Sequence, residues 1–273
     1  MFCATLSKKG AGVRDNKAAV FSGGAVIGSL GGLIGLGGAE FRLPLLIGVF
    51  RFPALEAIIV NKATSLVVVA TALPFRAAAV PLHEVGVHWP IVVNLLAGSL
   101  LGAWVGAGWA IRLKSAILYH VIAILLLMIA LVLIFGHDPH GGGTALASGG
   151  FQLIAGVAAG FVIGVVASLL GVAGGELLIP TLVLLFGVDI KLAGSLSLAV
   201  SLPTMIVGFT RYSRDQSFSI LKRSRSFVLV IALGSIVGTF IGGQLLGIIP
   251  SSILLPLLAG ILIASAIKVW RHS

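Results

Sequence analysis

Two glycine-rich segments of this chain each carry a glutamate that is followed four residues later by a proline. The first runs from Gly35 to Pro44 with Glu40 inside it, and the second runs from Gly171 to Pro180. Glycine lets a helix end in backbone conformations that other residues resist, and proline is tolerated in the first turn of a helix. Each segment therefore predicts a helix break and then a short helix that begins near Pro44 or Pro180. The free amides and positive dipole end of such a helix favour an anion, so the predicted chemistry is anion binding. The backbone groups expected at this site belong to Gly37, Gly38, Ala39, Gly174 and Gly175.

The composition predicts that these segments lie inside a membrane protein. Hydrophobic residues make up 58% of the chain, charged residues make up 10%, and the mean hydropathy is +1.17. Such values lie far outside the range of soluble domains. Several apolar runs approach the ~20 residues that a helix needs to cross a bilayer. The net charge of +10 does not indicate nucleic-acid binding, because the basic residues sit mainly between and beside these runs.

The charged residues of the two segments allow two interpretations. Glu40 and Glu176 stand at equivalent positions, where each carboxylate could cap its own short helix. Alternatively, one or both carboxyl groups take up a proton or control the access of the anion. A charge inside a membrane costs at least ~2.5 kcal/mol on insertion scales, so its presence needs a reason. Arg42 has Leu178 as its counterpart, and it either contacts the substrate or pairs with Glu40.

Polar side chains recur on the longer apolar run that follows each short helix. Hydroxyl and amide donors at the junction of two repeats suit an oxyanion, although small hydroxyl residues also let membrane helices pack closely. Lys62 lies in the first of these runs, and we expect its ammonium group to extend to the cytoplasmic surface. The candidate substrate-binding side chains are Glu40, Arg42, Asn61, Thr64, Ser65, Glu176, Ser195, Ser197, Ser201 and Thr204.

The sequence indicates that the whole chain consists of two copies of one unit. The offset from Glu40 to Glu176 is 136 residues, and the same offset without a gap also pairs Ser65 with Ser201. It also pairs the glycines at 98, 102 and 106 with those at 234, 238 and 242, which are expected to form close helix contacts. The predicted organisation is a basic cytoplasmic N-terminal tail (1–17), membrane repeat 1 (18–136), an extracytoplasmic linker (137–149) and membrane repeat 2 (150–273). We interpret His137 and His140 as parts of a solvated linker rather than as a metal site.

Equivalent loops of the two halves differ in charge, which predicts that the halves are inverted in the membrane. The tail before repeat 1 is basic, whereas 137–149 has no Lys or Arg. Conversely, 211–225 has five basic residues, whereas 76–89 has one. Because short cytoplasmic loops accumulate Lys and Arg, both termini and 211–225 are expected in the cytoplasm. The predicted fold is therefore all-α, with roughly 8–10 membrane helices in two inverted repeats, each beginning with a broken or re-entrant hairpin. Secondary transporters often have this architecture, with the substrate near the midplane between the repeats.

The paired motifs resemble those of the TauE/SafE sulfite exporter family. The resemblance rests on Gly35-Leu36-Gly37-Gly38 through Pro44, on Gly171-Val172-Ala173-Gly174-Gly175 through Pro180, and on the Ser/Thr-bearing run after each. It covers essentially the whole chain. The resemblance implies a permease of the cytoplasmic membrane for sulfite, thiosulfate, organosulfonates or related small anions, with protons as a candidate coupling ion.

Three classes of function are weighed against the sequence. The preferred one is a secondary transporter that moves a small anion by alternating access, and the alternative is an anion channel with the same helix-dipole site. An enzyme is not expected, because His120 is isolated, Cys3 lies in the tail, and no Walker-type phosphate loop is present. No cofactor, metal or nucleic-acid partner is expected. The expected partners are the anion, protons and the lipid bilayer.

Overall fold

The structure, a computed structural model, describes residues 14, 16–34, 38–79, 82–135, 149–244 and 251–271. Within these ranges the ordered elements are helices, and none of the described residues forms a strand, as the all-α prediction requires. The first half contains α1 (Lys17–Ile34), α2 (Ala39–Gly48), α3 (Ala54–Ala79), α4 (Leu82–Val87), α5 (Trp89–Arg112) and α6 (Ser115–Phe135).

The second half repeats this order of elements. It contains α7 (Gly149–Leu170), α8 (Gly175–Phe186), α9 (Ile190–Tyr212), a 3₁₀ turn (Gln216–Ser219), α10 (Ile220–Arg223), α11 (Arg225–Gln244) and α12 (Ser251–Trp270). At the offset read from the sequence, α1 corresponds to α7, α2 to α8, α3 to α9, α5 to α11 and α6 to α12. These ten helices fit the predicted number. The N-terminal tail before residue 14 and the linker with its two histidines (137–148) lie outside the described residues.

The helices have the length and the surface of a multi-pass membrane protein. Five stretches of the described helices are long and apolar enough to cross a bilayer: Ala54–Thr71, Trp89–Arg112, Gly149–Leu170, Leu192–Tyr212 and Arg225–Gly242. Shorter apolar helices cover Ser115–Leu131, Gly175–Phe186 and Ala259–Trp270. Large apolar side chains also face outward, among them Phe151 and Ile154, each 72% exposed. Such a surface suits lipid rather than water.

Glycines bring two pairs of helices from opposite halves into backbone contact. α1 packs extensively on α11, and α5 packs in the same way on α7. A Cβ atom added to Gly28 of α1 would lie 2.2 Å from the carbonyl oxygen of Ser235, and one added to Gly102 of α5 would lie 2.0 Å from that of Phe161. Glycine at every fourth position therefore lets these backbones touch, as expected for membrane helices. The two halves are interleaved by these contacts.

Contacts between equivalent helices show that the two halves run in opposite directions. His120, near the start of α6, packs edge-on against Trp270, the last residue of α12, with 4.3 Å between ring centroids. The Lys62 side chain, in the first half of α3, lies beside Gly208 near the end of α9. In these two pairs, α6 with α12 and α3 with α9, each helix is therefore antiparallel to its counterpart, as the charge pattern predicts for inverted repeats.

Candidate functional site

Both glycine-rich segments break the helix, but the short helices start earlier than predicted. Gly38 and Gly174 precede α2 and α8 and adopt left-handed backbone conformations, with φ of 69° and 82°. The helices begin immediately afterwards, so the prediction that they begin near Pro44 and Pro180 is wrong. The reason is that glycine at positive φ redirects the chain at no steric cost, and the helix can propagate from that residue. Gly37 lies outside the described residues.

The two prolines instead lie inside the short helices, where each removes a hydrogen-bond donor. An α-helical N–H donates to the carbonyl four residues earlier, so Pro44 leaves the carbonyl of Glu40 without its helical donor. Pro180 does the same to the carbonyl of Glu176. Each break thus combines the free amides of a helix start with a carbonyl that has lost its helical partner.

Glu40 and Glu176, each the second residue of its short helix, lie close enough for their carboxyl groups to interact electrostatically. Both residues are buried, with 2% and 5% of their surface exposed. Within the described part of the chain, both oxygens of Glu176 and one of Glu40 are buried without a hydrogen-bond donor. The repulsion between two nearby carboxylates is relieved when one of them takes up a proton.

Arg42 is buried and is held by three neutral acceptors. Its Nε donates to Asn61 Oδ1 at 2.8 Å, its Nη1 to Ser235 Oγ at 3.0 Å, and its Nη2 to Ser65 Oγ at 2.6 Å. These bonds join α2 to α3 of the same half and to α11 of the other half. Among the described residues no ion pair within 4 Å joins Arg42 to Glu40, so a contact with the substrate and a longer-range pairing with Glu40 both stay predictions. The electrostatic influence of Arg42 nevertheless reaches Glu40.

Asn61 connects the two breaks. Its Nδ2 donates to the carbonyl of Ala39, at the start of α2, and to that of Leu170, at the end of α7, both at 3.0 Å. Its Oδ1 accepts from Arg42. Through the two Nδ2 bonds, this one side chain contacts a helix start from the first half and a helix end from the second. The two broken helices therefore converge on the same part of the molecule.

Lys62 is buried rather than extended to the surface, so the expectation for it is wrong. None of its surface is exposed, and its Nζ lies 3.3 Å from the carbonyl oxygen of Ala167 and 3.4 Å from Ser168 Oγ. Both acceptors belong to the last turn of α7. The negative end of that helix attracts the ammonium group into the protein, an attraction that the hydropathy of α3 does not reveal.

The hydroxyl groups predicted for the site have separate hydrogen-bond partners. Thr64 and Ser197 donate to carbonyls of their own helices, and Thr204 lies 2.7 Å from the hydroxyl oxygen of Ser99. The Ser195 hydroxyl is buried without a partner, and Ser201 is buried. Among the described residues no hydrogen bond joins Ser195, Ser201 and Thr204, so a shared hydroxyl face stays a prediction.

Sequence reasoning missed four polar residues that contact the candidate site. Ser99 and Ser235 repeat at the common offset, and that recurrence is a signal by which the sequence could have indicated them. Ser168 and Tyr212 had no such signal: the Tyr212 hydroxyl donates to the Ser168 carbonyl at 2.9 Å, across 44 residues of sequence. The described residues hold no group of three His, Cys, Asp or Glu side chains that could bind a metal ion.

Together, the fold and the buried polar centre define an all-helical, multi-pass membrane protein with two antiparallel halves, whose broken helices meet in the interior. A comparison with protein families identifies its family. The family model described as sulfite exporter TauE/SafE matches residues 20–271. The chain belongs to the TauE/SafE sulfite exporter family, which is a family of membrane transporters. Neither the curated proteins nor the solved structures include one that matches it.

Proposed function

We propose that this protein is a secondary transporter for a small anion, namely sulfite, thiosulfate or an organosulfonate. The observation that carries the proposal is that Glu40 and Glu176, the second residues of α2 and α8, are both buried and lie close enough to interact electrostatically. Two helix starts that point at one place add their positive dipole ends and their free amides there. Small oxyanions fit such a site, and the family description names sulfite.

The carboxyl pair implies that protons bind together with the anion. An anion that enters beside two ionised carboxylates meets two like charges, and at an effective dielectric constant of 20 each costs ~4 kcal/mol at 4 Å. Protonation of the pair removes this repulsion and frees the helix amides for the substrate. Glu40 and Glu176 are therefore the proposed coupling groups.

The buried charges suggest what sets the number of protons transported with each anion. The charged groups that the described part of the chain buries are Glu40, Glu176, Arg42 and Lys62. With both carboxylates ionised their charges cancel, with one proton the sum is +1, and with two protons it is +2. The number of protons taken up would then match the charge of the anion, whether a monovalent sulfonate or a divalent thiosulfate.

Alternating access is the proposed mechanism, with the two halves rocking around this centre. Arg42 and Asn61 are positioned to link substrate binding to that motion. The hydrogen bond of Arg42 joins α2 to α11, and that of Asn61 joins α3 to the end of α7. An anion channel with the same site is the second candidate. A channel would give currents that do not saturate, whereas a transporter saturates and exchanges anion across the membrane.

The test is a flux assay in proteoliposomes with sulfite, thiosulfate, sulfoacetate and taurine, with a carboxylate as control, each with and without a pH gradient. We expect saturable, counterflow-competent transport of at least one sulfur oxyanion, accelerated by the gradient. Glu176→Gln should retain counterflow but lose the response to the gradient, since the amide mimics a permanently protonated acid. Glu56→Gln, which alters a surface ion pair, is the matched control. Flux equal to that of empty liposomes for all these anions would contradict the proposal.

A further inference from the structure

The last turn of α7 presents oxygen atoms to a single buried cationic group. Lys62 Nζ contacts the carbonyl oxygen of Ala167 and the hydroxyl of Ser168, and no part of the residue is exposed. Among the described residues no carboxylate lies within ion-pair distance of it. The ammonium group is therefore held by neutral oxygens and by the negative end of the helix dipole.

The same helix end is already satisfied by neutral donors. The amides of Gly171 and Val172 donate back to the carbonyls of Ser168 and Ala167, with Gly171 in a left-handed conformation. Tyr212 donates to the Ser168 carbonyl as well, and Asn61 donates to that of Leu170. These contacts supply neutral donors to three of the last four carbonyls of α7, those of Ala167, Ser168 and Leu170. A lysine is not needed for capping, and burying its charge costs more than burying a neutral donor.

A helix broken inside a membrane uses this kind of end to hold a coupling cation. In transporters built from inverted repeats, the carbonyls at the ends of half-helices coordinate Na⁺ or a proton. Here the equivalent oxygens face the chain's own ammonium group. At the corresponding position of the second half stands Leu198, so the arrangement occurs once among the equivalent residues of α3 and α9.

We propose that the end of α7 is a monovalent cation site that the Lys62 ammonium occupies permanently, so that transport requires no external Na⁺ or K⁺. The inference rests on the proposed transport function for its role in flux. The binding site itself is independent of that function. Other transporters bind a cation from solution at such a helix end in each cycle, whereas here the Lys62 ammonium group supplies the positive charge.

The site is tested by returning the deleted atoms to a truncated side chain. Lys62→Ala removes the atoms equivalent to n-propylammonium, whereas Lys62→Met removes the charge but fills the space. In purified protein at constant ionic strength, propylammonium should raise the Tm of Lys62→Ala by about 3 °C at tenfold excess over its Kd. It should leave the wild type, Lys62→Met and the counterpart control Leu198→Ala unchanged. An equal response of Lys62→Ala and Lys62→Met would overturn the cation site, whatever the protein transports.

The role in transport is tested separately in proteoliposomes. Wild-type anion flux should be the same in Na⁺, K⁺ and choline, a measurement that needs no variant to fold. Lys62→Ala should lose flux by about tenfold or more, because the cation site is left empty, and propylammonium should restore it severalfold. Lys62→Met should stay inactive with the amine. Wild-type flux driven by a Na⁺ gradient would refute the proposal, whereas absence of any anion flux would refute the proposed function and leave the thermal test of the site standing.

Discussion

The hydrogen bond from Arg42 to Ser235 should couple the two halves more strongly than a neutral contact does. It joins α2 to α11 across 193 residues of sequence, at 3.0 Å, and is buried at both ends. Hydrogen bonds to charged groups contribute ~1.5–3 kcal/mol, whereas neutral bonds between membrane helices average ~0.6 kcal/mol in double-mutant cycles. A cycle of Arg42→Leu and Ser235→Ala should therefore give a coupling energy of ~1.5–3 kcal/mol.

The chain offers its own control for this cycle. Ser99 is the counterpart of Ser235 and bonds instead to the neutral hydroxyl of Thr204. A cycle of Ser99→Ala and Thr204→Val should give ~0.6 kcal/mol. Both cycles can be measured by unfolding in mixed micelles with sodium dodecyl sulfate, followed by tryptophan fluorescence. A coupling energy for Arg42 and Ser235 no larger than that of the control pair would refute the view that a charged hydrogen bond ties the halves together.

Three further outcomes are expected from thermal unfolding of purified variants. Gly102→Ala should lower stability by ~1–3 kcal/mol, because its Cβ would meet a backbone carbonyl. Gly260→Ala, with open space around it, should be close to neutral. Equal effects would contradict the backbone contact between α5 and α7. Gly38→Ala should be more destabilising than Gly149→Ala. Both residues have positive φ, but of the two only Gly38 would bring a Cβ against backbone atoms. The reverse order would contradict the helix break at Gly38. Glu56→Ala should cost less than ~1 kcal/mol and less still at high salt, since its partner Arg223 is 63% exposed. A larger loss would mean that this pair is structural.

Most of the fold followed from the sequence because its determinants are local or repeated. The apolar runs predicted the long helices, and the gapless offset predicted which helices correspond. The charge difference between equivalent loops predicted antiparallel halves, and His120 against Trp270 agrees with that prediction. The predicted helix starts are too late because proline marks only one way of starting a helix. A left-handed glycine allows an earlier start and carries the proline inside the helix.

The candidate site was harder to predict because its contacts are between distant parts of the chain. Glu40 and Arg42 were singled out from the motif, but their partners depend on how α2 packs. Nothing in the sequence around Lys62 indicates that the end of α7 lies beside it, so surface exposure was the natural expectation. Tyr212 likewise becomes part of the centre only through a contact with Ser168.

The central claim is that two inverted halves meet at their broken helices, and the sidedness of equivalent positions tests it most directly. His88 and Ser224 are equivalent residues that precede α5 and α11. In a Cys3→Ser background, His88→Cys and Ser224→Cys can each be labelled with a membrane-impermeant thiol reagent, from either side of the membrane. The account predicts that His88→Cys reacts only from outside and Ser224→Cys only from the cytoplasmic side. Labelling of both positions from the same side would contradict it.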